Sequence, residues 1–267
     1  MEQLIKIIIL GIIQGLTEWL PISSTGHLKI FEHFLNFLSL GDSLVFDFIL
    51  HIGTLIVILL FFRKEIKNIL SALIRLDFTT EYGKLIPLII VGTIPAAIIG
   101  IILKEPVEQT FQSMRPIAIA FILCGIILCS AKTGKEKTDD VGYLTALIIG
   151  IAEGIAIIPG FSRSGLTIAV ALLLGIKKEK AFKFSFLLSI PAIIGAISYT
   201  FYKDFGILAP ARLGWIEIIA GIAVAMIVGY LALKLLWKIL AKKKFYLFAF
   251  YCWLLGLTLI ILSLGGF

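Results

Sequence analysis

The chain has few charged residues and few cysteines. Of its 267 residues only 15% are charged, whereas 60% are hydrophobic and the mean hydropathy is +1.07. A single soluble core could not bury that much apolar surface, so the composition excludes an ordinary soluble globular protein. Cys124, Cys129 and Cys252 are odd in number and contain no Cys-x-x-Cys pair, which argues against a zinc site or a disulfide framework.

The positive charge also lacks the arrangement of a nucleic-acid-binding surface. The formal net charge is +7, but Lys and Arg lie in short connections between apolar runs and form no basic stripe interleaved with aromatics. Membrane orientation explains this distribution better, and we expect no nucleic-acid partner.

Long apolar runs are what the sequence does contain. Several approach the roughly 20 residues that cross a hydrocarbon layer as a helix. They predict an all-α integral membrane protein with six spans, at about 44–62, 85–103, 115–131, 182–201, 213–237 and 245–264.

Two polar motifs interrupt this apolar sequence and resemble each other. At one constant offset the residues from Gly11 to Gly26 match those from Gly150 to Gly165. The match pairs Gly11 with Gly150, Gly15 with Gly154, Ser23 with Ser162, Gly26 with Gly165, and Gln14 with Glu153. The Gly-x-x-x-Gly spacing is also typical of close helix packing.

The match continues beyond the motifs. Residues 46–52 resemble 184–190, which places Asp47 opposite Ser185 and His51 opposite Ser189. We expect Asp47 and His51 to pack or to support other site residues. Further on, glycines and alanines agree again, Gly92 with Gly221 and Ala96 with Ala225.

The distribution of Lys and Arg predicts the orientation of the two copies. Four connections carry three to five basic residues each and should face the cytoplasm: residues 63–84, 131–141, 177–183 and 238–244. The alternate connections, 33–43, 104–115 and 203–212, carry at most two.

This assignment requires each motif to enter the membrane and return on the same side. It divides the single membrane domain into repeat one, residues 1–131 with a re-entrant hairpin at 4–38, and repeat two, residues 132–267 with a hairpin at 142–176. Because three spans complete each half, the second copy must be inverted relative to the first. Both termini should lie outside.

The first motif carries chemistry. Gln14 and Glu18 share a helix face, and Pro21 ends that helix before a turn of hydroxyls. Hydroxyls, an imidazole and the amides of a helix start form a receptor for an anion, most plausibly phosphate. The residues expected to contribute are Ser23, Ser24, Thr25, Gly26 and His27, with Glu18 as a metal ligand or general base.

The second motif adds a cation. Pro159 precedes a helix start containing Ser162, Arg163, Ser164 and Gly165, with Thr167 one turn later. A guanidinium can donate two parallel hydrogen bonds to phosphate. Ionisable groups at membrane depth usually mark a site. The alternative for Glu18 and Arg163 is a purely structural ion pair between the repeats.

The two motifs, Gly-Leu-Thr-Glu18-Trp-Leu-Pro-Ile-Ser-Ser-Thr-Gly-His27 and Pro159-Gly-Phe-Ser-Arg-Ser-Gly165, resemble the undecaprenyl-diphosphatase (bacitracin-resistance) family. The resemblance covers the chain in length, order of spans and spacing. It implies hydrolysis of undecaprenyl diphosphate to the monophosphate and inorganic phosphate in the cytoplasmic membrane, with an outward-opening site and a divalent cation, Mg²⁺ or Ca²⁺. This reaction recycles a lipid carrier for peptidoglycan synthesis and is associated with bacitracin resistance.

The resemblance also implies residue roles. Glu18 would be the catalytic acidic residue and Arg163 would bind the diphosphate as a clamp. The nucleophile would be Ser24, His27 or a water molecule. The other hydroxyls named above would line the phosphate site. The family's best-known members carry an acid at the place of Gln14 and an amide at that of Glu153, so we expect these two side chains to be hydrogen-bonded here.

Two other classes of function remain. Inverted repeats with broken helices are common in secondary transporters, so a lipid-phosphate flippase could use the same site. A non-catalytic lipid-binding scaffold would leave the buried charges without a purpose. The Gly-x-x-x-Gly patterns permit a homodimer.

Overall fold

The computed structural model describes residues 2–35, 40–208 and 214–265, with side-chain surroundings over 4–31, 48–203 and 214–265. In this part of the chain it is helical. The helices are α1 (Glu2–Trp19), α2 (Ser24–Leu35), α3 (Leu40–Phe61), α4 (Arg63–Ile74), α5 (Leu85–Thr110), α6 (Met114–Ser130), α7 (Tyr143–Ile155), α8 (Arg163–Leu173), α9 (Lys178–Leu208), α10 (Trp215–Ala241) and α11 (Leu247–Leu264).

Five of the described helices are long and apolar enough to cross a membrane: α5, α6, α9, α10 and α11. This confirms an all-α integral membrane protein. The remaining predicted span, 44–62, corresponds to α3, whose described side chains form the apolar segment Phe48–Phe61. The end of the predicted hairpin 4–38 and the first residue of the predicted span 213–237 lie outside the described residues.

Helix bounds differ from the predicted spans where helices continue past the apolar run. The helix α5 extends to Thr110 and includes Lys104 and Glu108, and α9 begins at Lys178. Hydropathy marks the part inside lipid, whereas backbone hydrogen bonding continues into the polar flank. The helix α4 was not predicted from the sequence. Its Ile66 and Ile69 are partly buried against the core, whereas its Ile74 is exposed.

The helices that carry the two motifs each pack on a helix from the other half of the chain, α1 on α10 and α7 on α5. Glycine makes these contacts close. A Cβ added to Gly11 would lie 3.0 Å from the carbonyl oxygen of Gly221, and one added to Gly150 would lie 2.1 Å from that of Gly92. The next turns repeat the arrangement, with Gly15 against Ala225 and Gly154 against Ala96. The sequence match makes the two contacts equivalent, because it pairs Gly11 with Gly150 and Gly221 with Gly92.

The four most basic connections lie together at one end of the molecule. Ion pairs join Lys177 to Asp139 at 2.5 Å and Lys243 to Glu136 at 2.9 Å. Others join Lys180 to Glu81 and Lys183 to Glu65. The hydrogen bond from Lys243 holds the pKa of Glu136 below its usual value. The segment formed by α7 and α8 therefore starts and finishes at the same end of the molecule.

The close contact between α7 and α5 predicts a strong effect at Gly150. Gly150→Ala should destabilise the protein by about 1–3 kcal/mol, because the new methyl group must displace backbone. Gly100→Ala is the matched control on α5, since a Cβ there meets nothing within 4 Å. Thermal unfolding in detergent would measure both, and equal unfolding temperatures for the two variants would contradict the packing described.

Candidate functional site

The two motif turns contact each other directly. The first lies between Trp19 and Ser24, and the second between Ile155 and Arg163. The Ser23 hydroxyl accepts a hydrogen bond from the Gly160 amide at 3.0 Å. In the other direction, the Ser164 hydroxyl donates to the Trp19 carbonyl at 3.0 Å. The Ser162 hydroxyl donates to the Leu20 carbonyl at 3.4 Å. Backbone groups freed where α1 and α7 end thus find partners across the interface.

The same serines cap the helices that follow. Ser23 accepts from the Gly26 amide at 3.2 Å, and Ser162 accepts from the Gly165 amide at 3.1 Å. Each is the side-chain cap expected at a helix N-terminus. Two amides that the sequence analysis assigned to phosphate are therefore hydrogen-bonded within the protein.

Beside the joined turns, Glu18 and Arg163 form a buried ion pair. One Glu18 oxygen, Oε1, accepts from the Arg163 guanidinium. The other, Oε2, accepts from the Ser24 hydroxyl at 2.7 Å and from the Gln14 amide at 3.1 Å. His51 on α3 adds a favourable electrostatic interaction with the carboxylate. Four side chains from both halves of the chain thus converge on one carboxylate.

A narrow pocket, too tight in this structure for a water-sized sphere, lies beside this ion pair. Its lining is mostly polar, with one aromatic side chain from each half: Glu18, Trp19, Arg163, Ser164, Thr167, Ser185, Phe186 and Ser189. The prediction did not include Ser185 and Ser189. The available signal was the match of residues 46–52 with 184–190, since His51 from the first copy also faces Glu18.

His27 lies outside this lining. Its Nδ1 is 2.7 Å from the Ser23 carbonyl oxygen, and its Nε2 is 2.7 Å from the Tyr251 hydroxyl. The ring also packs edge-on against Phe121. Because a carbonyl can only accept, Nδ1 carries a proton, and in the neutral ring Nε2 accepts from Tyr251. Both nitrogens are thus engaged in holding the first turn.

The expected hydrogen bond between Gln14 and Glu153 is absent, so that prediction was wrong. The Gln14 amide nitrogen donates to Glu18, one turn away on the same helix. Glu153 is buried with no hydrogen-bond partner for either carboxylate oxygen, and its identified electrostatic neighbour is Arg163. Glu153 of the second repeat therefore interacts electrostatically with Arg163 of its own motif, not with Gln14 of the first.

Other predicted residues divide between structural and pocket positions. Thr25 is exposed, with its hydroxyl 3.5 Å from that of Ser23. Thr167 lines the pocket and donates to the Arg163 carbonyl at 2.9 Å. Within the described ranges, no three or more Asp, Glu, His or Cys residues are grouped to hold a metal ion.

Comparison with known proteins agrees with the motif pattern. Residues 7–258 match the family described as bacitracin resistance protein BacA. The chain belongs to this family. It is 42% identical over 265 residues to a BacA relative named undecaprenyl-diphosphatase from Carboxydothermus hydrogenoformans, with 97% of each chain covered. Relatives with the same name from Halothermothrix orenii and Methanosphaera stadtmanae are each 40% identical, with at least 98% of each chain covered.

The backbone of Ser23 generates a test of the joined turns. Its φ is +67°, a left-handed conformation that favours glycine. Ser23→Ala and Ser23→Gly both lose the bonds to Gly26 and Gly160, so both should be less stable than the native protein. The free energy of unfolding of Ser23→Gly should be about 1 kcal/mol higher than that of Ser23→Ala, because glycine adopts the left-handed backbone conformation without a steric cost. Thermal unfolding measures this order, and a more stable alanine variant would contradict the geometry.

Proposed function

We propose that this chain hydrolyses undecaprenyl diphosphate to undecaprenyl phosphate and inorganic phosphate, which returns the lipid carrier to peptidoglycan synthesis. The observation that carries the proposal is the cluster of the buried Glu18 with the partly buried Arg163 and Ser24 beside a polar pocket. The names of the BacA relatives support the same reaction. The cluster combines a cation for phosphate, a base and a hydroxyl, which are the groups that phosphoryl transfer to a nucleophile requires.

Arg163 is the proposed phosphate clamp. Its identified ion-pair partner is Glu18, and it lies at the first position of α8, where the helix dipole also favours an anion. A diphosphate entering the pocket competes with the Glu18 carboxylate for the guanidinium. When phosphate replaces Glu18 as the partner of the guanidinium, the Glu18 carboxylate is free to accept a proton.

Ser24 is the proposed nucleophile, since its hydroxyl already donates to Glu18 at 2.7 Å. In the first step the bond from Ser24 Oγ to the terminal phosphorus forms, the bond from that phosphorus to the bridging oxygen breaks, and Glu18 takes the hydroxyl proton. Prenyl monophosphate leaves. Water then attacks the phosphoserine: the bond from the water oxygen to phosphorus forms and the bond from phosphorus to Ser24 Oγ breaks. Glu18 returns its proton to Oγ, and both water protons leave with the inorganic phosphate.

His27 has a positioning role in this proposal. Its contacts to Ser23 and Tyr251 fix the turn immediately before Ser24 and leave neither ring nitrogen for the pocket. Ser23, Ser162 and Gly165 likewise act through the joined turns, whereas Ser164 and Thr167 line the phosphate position.

A divalent cation, Mg²⁺ or Ca²⁺, fits this site only if the protein and the substrate share its coordination. Glu18 is the one carboxylate in the lining, and its two oxygens already have protein partners. Glu18 together with diphosphate oxygens would hold it, because Mg²⁺ commonly binds one or two carboxylates plus substrate phosphates. The cation would supply neutralisation of phosphate charge.

The two halves are proposed to be inverted repeats with the pocket opening to the outer face. Equivalent glycine contacts in the pairs α1 with α10 and α7 with α5 support the pseudo-two-fold relation. The gathered basic connections support a cytoplasmic assignment for that end, with both termini outside. The lipid tail then enters sideways between helices. The Gly-x-x-x-Gly residues pack within the chain, so they give no support to a homodimer, which stays a prediction.

The first experiment tests the clamp and the acid. Arg163→Ala and Glu18→Gln should each reduce phosphate release from a prenyl diphosphate by at least about 100-fold, the scale of losing one preorganised electrostatic contact in a transition state. Arg115→Ala is the control, because Arg115 is an exposed arginine that donates to the Ser263 carbonyl and lies outside the pocket lining.

Phosphate would be measured on purified protein in detergent, with folding checked by thermal unfolding. Near-normal release from a folded Arg163→Ala variant would remove the clamp from the mechanism. Substrate movement across vesicles without any phosphate release by the native protein would instead favour the transporter alternative.

The second experiment tests the nucleophile. With substrate labelled in its terminal phosphate, acid quenching during the first turnover should leave label on the peptide containing Ser24, because a covalent intermediate accumulates or is trapped. Ser24→Ala should abolish both labelling and release. Unlabelled protein at every time point, together with retained release by Ser24→Ala, would assign the attack to water.

A further inference from the structure

Ser185 occupies an unusual position in the pocket. It lies within α9, is 3% exposed, and its hydroxyl has no hydrogen-bond partner. Burying a hydroxyl without a partner costs free energy, on the order of 1–3 kcal/mol in proteins. The position therefore carries a cost that the fold itself does not offset.

Other buried hydroxyls in the described part of the chain are bonded. A serine or threonine inside a helix usually donates to a carbonyl of the preceding turn. Thr17, Thr167 and Ser189 do so, to Ile13, Arg163 and Phe186 respectively. Ser189 is the closest comparison, since it lies one turn from Ser185 on the same helix and lines the same pocket. Of the two, Ser185 keeps a donor for the pocket.

The groups around Ser185 show which donors remain for a ligand. The Ser164 and Thr167 hydroxyls already donate to backbone carbonyls. Arg163 can only donate, and it has N–H groups beyond the one bonded to Glu18. A group that brings several acceptor oxygens therefore complements Arg163 and the Ser185 hydroxyl.

We propose that Ser185 is a further substrate-binding residue, whose hydroxyl donates a hydrogen bond to an oxygen of the phosphate group that Arg163 binds. This inference rests on the proposed function and adds a residue from α9, which lies outside both motifs. Phosphate supplies charged acceptors for Arg163 and Ser185, and hydrogen bonds to charged groups are about twice as strong as neutral ones.

The repeat gives an independent reason for serine here. The first copy has Asp47 at the matching position, whereas the second has the uncharged Ser185. A second carboxylate beside Glu18 would repel a diphosphate, and a hydroxyl does not. The two copies have thus diverged at this position in the direction that an anion pocket requires.

The experiment compares Ser185→Ala with Ser263→Ala, a change at a buried serine on α11 that lies outside the pocket lining and donates to the Ile260 carbonyl. Ser185→Ala should lower kcat/KM for phosphate release from farnesyl diphosphate by about 10-fold or more, the loss of one hydrogen bond to a charged group. It should also weaken inhibition by inorganic phosphate, which measures binding without chemistry. Ser263→Ala should stay within about twofold of the native protein in both measurements.

Thermal unfolding separates a binding role from a structural one. Ser185→Ala should unfold at the native temperature or above it, because the variant removes an unsatisfied buried hydroxyl. Protection of the protein by farnesyl diphosphate should decrease in the same variant. A lowered unfolding temperature with unchanged protection would overturn the proposal, as would equal kinetics for the two alanine variants.

The two proposals can fail separately. If the native protein releases no phosphate, the proposed function fails, and thermal protection by farnesyl diphosphate or phosphate still decides whether Ser185 binds the phosphate group. If the native protein is active and Ser185→Ala matches it in kcat/KM, phosphate inhibition and protection, only the role of Ser185 is wrong.

Discussion

The helices α1 and α7 end at two turns that are in contact, where their free backbone groups must find partners inside the protein, and the rest of this structure depends on how that is done. The two turns solve the problem for each other. Ser23 receives an amide from the second turn, while Ser162 and Ser164 donate to carbonyls of the first. Neither turn would be satisfied in this way without the other. The site can therefore form only when both halves of the chain are in place.

This requirement also decides which residues are left for chemistry. Serines at the centre of both motifs are used for capping and for joining the turns, so they contribute rigidity rather than reactivity. Glu18, Ser24 and Arg163 lie beside the joined backbone and keep side chains that can exchange partners. The close glycine contacts of α1 and α7 with neighbouring helices fix the positions of the helices that lead into the two turns. Positioning and chemistry are thus assigned to neighbouring residues in each motif.

The sequence predicted the helical membrane fold and singled out Glu18 and Arg163, since apolar length and isolated charges are strong local signals. Their ion pair was the alternative interpretation of these two residues. The sequence prediction failed at Gln14 and Glu153, because a sequence match equates positions without fixing which neighbour each side chain reaches. It missed α4 because the connection carrying this helix is dominated by charge. It did not single out Ser185 or Ser189, since a serine inside an apolar run does not show whether its hydroxyl bonds backbone or faces a pocket.

The small size of the pocket has a consequence for what part of a lipid the protein can recognise. In this structure the space between its walls is too narrow for a water-sized sphere. No long hydrocarbon chain can lie in it, so the tail of a lipid must remain among the helices or in the bilayer. Discrimination between lipids of different chain length then belongs to the outer faces of the helices, where a flexible tail makes weak and interchangeable contacts. The polar interior reads the charge of its ligand and is indifferent to its length.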